Sequence, residues 1–237
     1  MEKSVLLIFV LSVLGANELL VKVDRNLQPT SSESYKKLVN IEPDGSKKEF
    51  LIYQAKKDKD KMVALFLKPE SEKGRSTLRL GDNMWLYIPN VGKPIRIASM
   101  QSVVGGVFNN SDIMRLDFSA EYTVTSQKES SREYTLTLKA KNDSVAYDKL
   151  IMKVDKDTIT PKEVVCYSST GMKIKTLLYK DIKEFTPGIV RPAVVETVSP
   201  FYKGYKSIMV YGKITPKSFD NEVFTLDNIS KVESVRR

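Results

Sequence analysis

The side chains that could do chemistry are few, and their types exclude more than they suggest. The chain has no histidine and one cysteine, Cys166. Imidazole acid–base catalysis and His-ligated metal sites are therefore excluded. Serines are plentiful but have no histidine to activate them, and carboxylates fall mostly in turns beside lysines. No GxGxxG, P-loop or CxxC is present. Cys166 lies in the strand-like run Val164-Val165-Cys166-Tyr167, which suits a buried structural thiol better than a nucleophile. A lone cysteine also leaves the fold to be held by its core rather than by a disulfide. No catalytic residue, metal or cofactor is expected, and the residues point to binding rather than to an enzyme.

What remains for binding is apolar surface, and strands must position it. One stretch concentrates it: Gly81 to Arg96 holds the only tryptophan. Alternation across a strand puts Trp85 and Tyr87 on one face and Met84, Leu86 and Ile88 on the other. Both faces thus need a cover. Pro89 ends the strand, Asn90-Val91-Gly92 turns the chain, and Pro94 to Ile97 begins the return.

Apolar faces recur along the chain as Leu78 with Leu80, Leu136 with Leu138, and Leu150, Met152 and Val154. Roughly a dozen strands joined mostly by short turns imply an antiparallel meander, which must curl, close or split into two sheets at that size. Pattern alone does not separate a two-sheet sandwich from one curled sheet with a covered concave face.

Two segments break the strand rhythm. Asn17 to Leu27 carries apolar residues at 20, 23 and 27, the spacing of one helix face. Ser99 to Asp117 is too long for a hairpin turn and reads as a lid or binding loop. Ser111 or Asp112 could cap a one-turn helix there, presenting Ile113, Met114 and Leu116 to an apolar surface. Gly105-Gly106 reads as a hinge. The tail from Phe219 to Ile229 is weakly patterned.

At the N-terminus, Lys3, the apolar run Val5 to Leu14 and small Gly15-Ala16 have the layout of an export signal over residues 1–16, leaving 17–237 as one mature domain. The formal charge of +9 and pI of about 9.3 come from lysines spread along strands, which read mostly as solvated faces. With export, nucleic acid is excluded as a partner, and a basic exterior favours anionic membranes or acidic proteins.

The run Met84 to Pro89, its turn and Ile95-Arg96-Ile97 resemble the W-L-Y-L-P…R-R-I signature of outer membrane lipoprotein-sorting proteins, relatives of the LolA/LolB carriers. The likeness continues in order through Phe66 to Pro69, Lys73-Gly74-Arg75, Ser111-Asp112 and Tyr167 to Thr176. The resemblance implies a mainly β fold: one curled antiparallel sheet forming an open half-barrel, lidded by short helices. It implies a monomeric periplasmic carrier whose partners are acylated lipoproteins or lipids, an inner-membrane transporter and an outer-membrane acceptor.

Mapped by motif, the matching positions are Trp85, Tyr87, Pro89, Arg96, Ser111 and Asp112. The acyl-binding expectation falls on Leu78, Leu80, Trp85, Leu86, Tyr87, Ile88, Leu136, Leu138, Leu150 and Met152. The chain has Asn110 and Ile113 where the family pattern has Gly and Phe. It shows no clear match to the arginine that ties the lid to the barrel in those carriers. The rival expectation is a periplasmic sensor or transporter subunit that uses the same fold for protein contacts.

Overall fold

The computed structural model describes residues 2–236, with side chains from residue 15 onward. The apolar run of the expected export signal lies outside the side chains described. The chain opens with helix α1 (Glu2–Leu27), which contains the expected helix over 17–27. Among its described side chains the buried apolar residues are Ala16, Leu20, Val23 and Leu27, the three- and four-residue spacing of one stripe.

Thirteen strands follow, all in one antiparallel sheet. The first six are β1 (Ser32–Ile41), β2 (Lys47–Lys57), β3 (Lys61–Lys68), β4 (Ser76–Leu80), β5 (Asn83–Tyr87) and β6 (Ile95–Ile97). The rest are β7 (Tyr122–Glu129), β8 (Glu133–Ala140), β9 (Lys149–Asp155), β10 (Pro161–Tyr167), β11 (Lys173–Thr186), β12 (Ile189–Val198) and β13 (Lys206–Pro216).

Spatial order is β6 to β1, then β13 back to β7. Two meanders therefore meet at the β1–β13 pair, where Lys36 lies opposite Tyr211. Edge strands β6 and β7 do not pair with each other, so the sheet is open rather than closed into a barrel.

That topology explains the long insertion. Residues 98–121 connect β6 to β7, the two opposite edges of the sheet. Thirteen strands at a spacing of about 4.8 Å would set flat edges about 58 Å apart. The connector contains helices α2 (Asn110–Ile113) and α3 (Phe118–Glu121) and much turn, so it bridges edges drawn together by curling. It lies in the concavity beside α1.

The concave side holds the larger apolar cluster, with Leu38, Ile52, Met62, Leu138, Met152 and Met209 from the sheet packed on α1 and the connector. A second cluster lies on the convex side of β2 to β5. There Tyr53, Val63 and Leu78 are covered by Phe219, Phe224 and Ile229. Those covering residues come from the tail: 3-10 turns Asn221–Phe224 and Ile229–Lys231, then α4 (Val232–Val235).

The weakly patterned tail is thus a lid of its own, and β2 and β3 are buried on both faces. Met62, Ala64 and Phe66 face inward while Val63 and Leu65 face the tail.

Candidate functional site

The connector is fixed to the sheet by polar groups that strands aim into the concavity. α2 is capped by Asn109, whose side chain accepts from Asp112 N at 3.0 Å while Asp112 accepts from Asn109 N at 3.1 Å. This reciprocal box makes Asn109 the cap, with Asp112 closing it at the third helical position. Ser111 donates to the Asn109 side chain and caps nothing.

Asp112 then anchors α2 outward: Lys175 Nζ on β11 donates to it at 2.8 Å and Tyr147 Oη at 3.0 Å. Arg115 donates to it at 3.2 Å. Burial raises the Asp112 carboxyl, but Lys175, Arg115 and these hydrogen bonds outweigh it, and its pKa lies below the usual value.

Strands of the other meander repeat the pattern. Gln54 on β2 donates to Ile113 O at 3.0 Å, and Arg79 on β4 donates to Met114 O at 3.0 Å and to Glu121. Lys56 Nζ stands 2.9 Å from Asp117, in ion-pair contact but out of hydrogen-bond alignment. From α1, Arg25 also pairs with Asp117.

Asp24, on the same helix, accepts from Phe118 N at 2.6 Å and Ser119 N at 2.8 Å. It therefore serves the free amides at the start of α3, where Asp117 makes no cap bond of its own. Burial first, with Asp117 close by, pushes the Asp24 carboxyl up to about 6 against those two amides.

Sequence reasoning missed these groups for a clear reason. Lys36, Lys56, Arg79 and Lys175 lie on strands, where a charged side chain more often marks a solvated face. All four are buried, which corrects the solvated reading for the three lysines. They supply the ties between lid and sheet for which the sequence showed no single arginine.

Under this cover, Ile113, Met114 and Leu116 are all buried in the concave cluster. Leu136, Leu138, Leu150 and Met152 belong to the same cluster. Leu78, Leu80, Trp85 and Tyr87 do not, since they join the convex cluster, with Leu78 directly opposite Trp85. Leu86 is buried and shares the inward side of β5 with Met84. Ile88 is half-buried just beyond β5. Pro89 is exposed beside Gly74, and exposed Arg96 donates to Asn83.

The ten acyl-binding expectations therefore divide between the two faces of one sheet. Cys166 is buried in the concave cluster, and burial pushes its thiol up to about 12.

Gly105 and Gly106 have different duties. Gly105 turns the chain at φ +76°. A Cβ at Gly106 would stand 2.2 Å from Asn40 Oδ1, so only glycine permits that approach. Preceding them, the β-branched Val104 is held at φ +48°, a conformation such residues avoid.

The space left where the end of α1 meets the sheet is small. A cleft of about 30 Å³ lies between the end of α1, the connector and strands β1 and β11 to β13. That is room for about two water molecules. Its floor carries Lys36 and Arg191, and Arg191 stacks on the Tyr211 ring at 3.8 Å. Among the described residues no helix is long and apolar enough to cross a membrane.

An open antiparallel sheet curled around a helix and an edge-to-edge lid is the LolA-like fold. The chain matches a LolA superfamily protein from Nitrosomonas europaea with TM-score 0.79 and 24% identity, covering 89% of this chain and 97% of that one. It matches a DUF1329 family protein from Desulfovibrio piger with TM-score 0.77 and 19% identity, over 92% and 98% of the two chains. A putative outer membrane lipoprotein-sorting protein domain from Vibrio parahaemolyticus gives TM-score 0.72 and 15% identity, over 89% and 97%. No match is found among curated proteins. The chain belongs to the family described as "-like: Uncharacterized protein", whose model matches residues 58–231.

Proposed function

We propose that this protein is a periplasmic carrier that binds acyl chains of lipoproteins, or of free lipid, against the concave face of its sheet. It receives them from an inner-membrane transporter and delivers them to an outer-membrane acceptor. The role is one of binding, carried by the mature domain 17–237 after export.

One observation carries the reading. The concave apolar face is covered by a connector and a helix rather than by a second sheet. The lid is held by side-chain hydrogen bonds and ion pairs, none of which belongs to the strand ladder. It can therefore leave without breaking a backbone pair of the sheet.

In the closed state Ile113, Met114 and Leu116 fill the space that cargo would take, with a small cleft left beside them. Acyl chains must displace them. Each buried CH₂ contributes about 0.8 kcal/mol, so a sixteen-carbon chain brings on the order of 12 kcal/mol to that exchange. Competition with the lid keeps net affinity low enough for release. The strained Val104 fits a segment held closed by its surroundings rather than by its own preference.

The test is binding of a fluorescent acyl probe to delipidated protein and to a Met114→Ser, Leu116→Ser double variant. The carrier reading expects probe binding that tightens in the variant, whose closed state is weakened. Unchanged affinity would make the connector an inert cover.

A second reading rests on a different surface. Phe201, Tyr202 and Tyr205 are exposed on the β12–β13 turn beside Val198. Such a patch suits protein contact by a sensor or transporter subunit. A Phe201→Ser variant that loses partner binding while acyl-probe binding stays absent throughout would favour it.

A further inference from the structure

The small cleft in the concavity carries a charge imbalance that its carboxylates do not neutralise. Its two carboxylates are already engaged: Asp112 with Lys175, Tyr147 and Arg115, and Asp24 with the amides of Phe118 and Ser119. Its cations are not equally engaged. Arg115 pairs with Asp112, but Lys36 and Arg191 form no ion pair with a carboxylate among the described residues. Lys36 Nζ donates to Ile113 O at 3.3 Å and lies 5.0 Å from the centre of the Tyr211 ring. Arg191 donates to Pro192 O and to Leu27 O, and stacks on the other cation's tyrosine.

Both side chains are almost wholly buried, at 4% and 3% exposure for the two residues. Burying a cation costs several kcal/mol unless an opposite charge offsets it. The walls around them are Leu27, Phe108, Leu116, Leu177, Val195 and Met209. Gln28, Arg115, Tyr179 and Tyr211, each largely buried, complete the lining.

We propose that this cleft is an oxyanion site, in which Lys36, Arg191 and the Tyr211 hydroxyl hold the phosphate group of an anionic amphiphile. The guanidinium fork and the ammonium suit the oxygens of one phosphate. The apolar walls lead from it into the concave cluster, where the chain of such a molecule would lie.

The amphiphile part of the proposal rests on the carrier reading, whereas the oxyanion part does not. The local electrostatics support it. Burial lowers the Lys36 ammonium, with Arg191 and Arg115 adding to the effect against Tyr211. Burial raises the Tyr211 phenol, but Lys36, Arg191 and Arg115 together bring it down to about 8. A phenol so placed is the nearest thing to a counter-ion that Lys36 and Arg191 have.

The test uses three probes on the delipidated full chain: inorganic phosphate, monomeric 1-lauroyl lysophosphatidic acid, and uncharged monolaurin. Phosphate, against chloride at matched ionic strength, should raise the melting temperature, since a ligand of the folded state stabilises it. Lysophosphatidic acid should bind about tenfold or more tighter than monolaurin, the scale of hydrogen bonds to charged groups.

Lys36→Met should fold, because it removes an uncompensated charge, and should lose both the phosphate effect and the preference for lysophosphatidic acid over monolaurin. Lys36→Gln, which keeps a donor for Ile113 O without the charge, serves if the methionine variant does not fold. Phosphate binding without any lipid binding would uphold the oxyanion site and overturn the carrier reading. Equal binding of the two lipids with no effect of phosphate would overturn the oxyanion site alone. No response to any probe would overturn both.

Discussion

Lys175 and Asp112 stand 63 residues apart in the chain and meet as a buried ion pair at 2.8 Å, joining β11 to the one-turn helix of the lid. The pair links the far meander to the connector, as Arg79 with Glu121 does from the near one. Between them the two halves of the sheet hold one lid.

Replacing Asp112 with asparagine should therefore be severe. It would leave Lys175 without a carboxylate and Arg115 with only Glu121 at 3.9 Å. Removing one member of a buried pair costs about 3–5 kcal/mol. Equilibrium unfolding in urea should show that loss, and Lys175→Met in the same background should recover much of it. A loss below about 1 kcal/mol would mean that the pair is worth no more than a surface one.

Asp24 sets a pH dependence of opposite sign to that of an ordinary paired carboxylate. Its pKa is raised in the folded state, from 3.8 to about 6. The stability linked to its proton is then fully present below the unfolded value of 3.8 and is lost as pH rises through about 6. The full change is on the order of 3 kcal/mol, at 1.36 kcal/mol per pKa unit. Asp24→Asn carries no such proton, so its stability relative to the parent should improve between pH 4 and pH 7. Asp112, with its pKa lowered, should contribute in the reverse sense, losing stability as pH falls. Unfolding curves for parent and Asp24→Asn across that range give the difference directly.

Gly106→Ala should destabilise by about 1–3 kcal/mol, the usual cost of overpacking. Asn40 cannot swing aside cheaply, because it donates to Val104 O at 3.3 Å and accepts from Ser207 Oγ at 2.7 Å. In an Asn40→Ala background the same glycine substitution should cost less, and a double-mutant cycle measures the coupling. Strict additivity would show that the close approach is not felt.

Much of this architecture was legible in the sequence. Alternation placed Trp85 and Tyr87 opposite Met84 and Leu86, and both faces of β5 do find a cover. The 20, 23, 27 spacing located the buried stripe of α1. The length of 99–117 marked the connector, because a chain joining two opposite sheet edges cannot be short.

Two things were not legible. A strand lysine looks the same whether it meets water or a buried carboxylate 63 residues away, so Lys175 passed as surface. The face that Leu78, Leu80, Trp85 and Tyr87 share is apolar for the sake of Phe219 and Phe224, whose tail has too little periodicity to announce a cover.

The single tryptophan makes that second point measurable. Phe224→Ala should cost about 3–5 kcal/mol as a buried aromatic truncation. Because Trp85 packs in the same convex cluster, its emission should shift to the red as water reaches it. Acyl-probe affinity should stay unchanged, since the concave face is on the other side of the sheet. Loss of probe binding in Phe224→Ala would place the ligand on the convex face instead.

The central claim is that acyl chains enter beneath the connector by displacing it. Hydrogen exchange of delipidated protein, measured with and without a bound acylated lipopeptide, addresses it most directly. The account predicts that amides of 109–117 are protected in the free protein and exchange faster once the lipopeptide binds, while β1 to β3 and β8 to β13 keep their protection. Saturable binding with 109–117 equally protected in both states, or no binding at all, would contradict it.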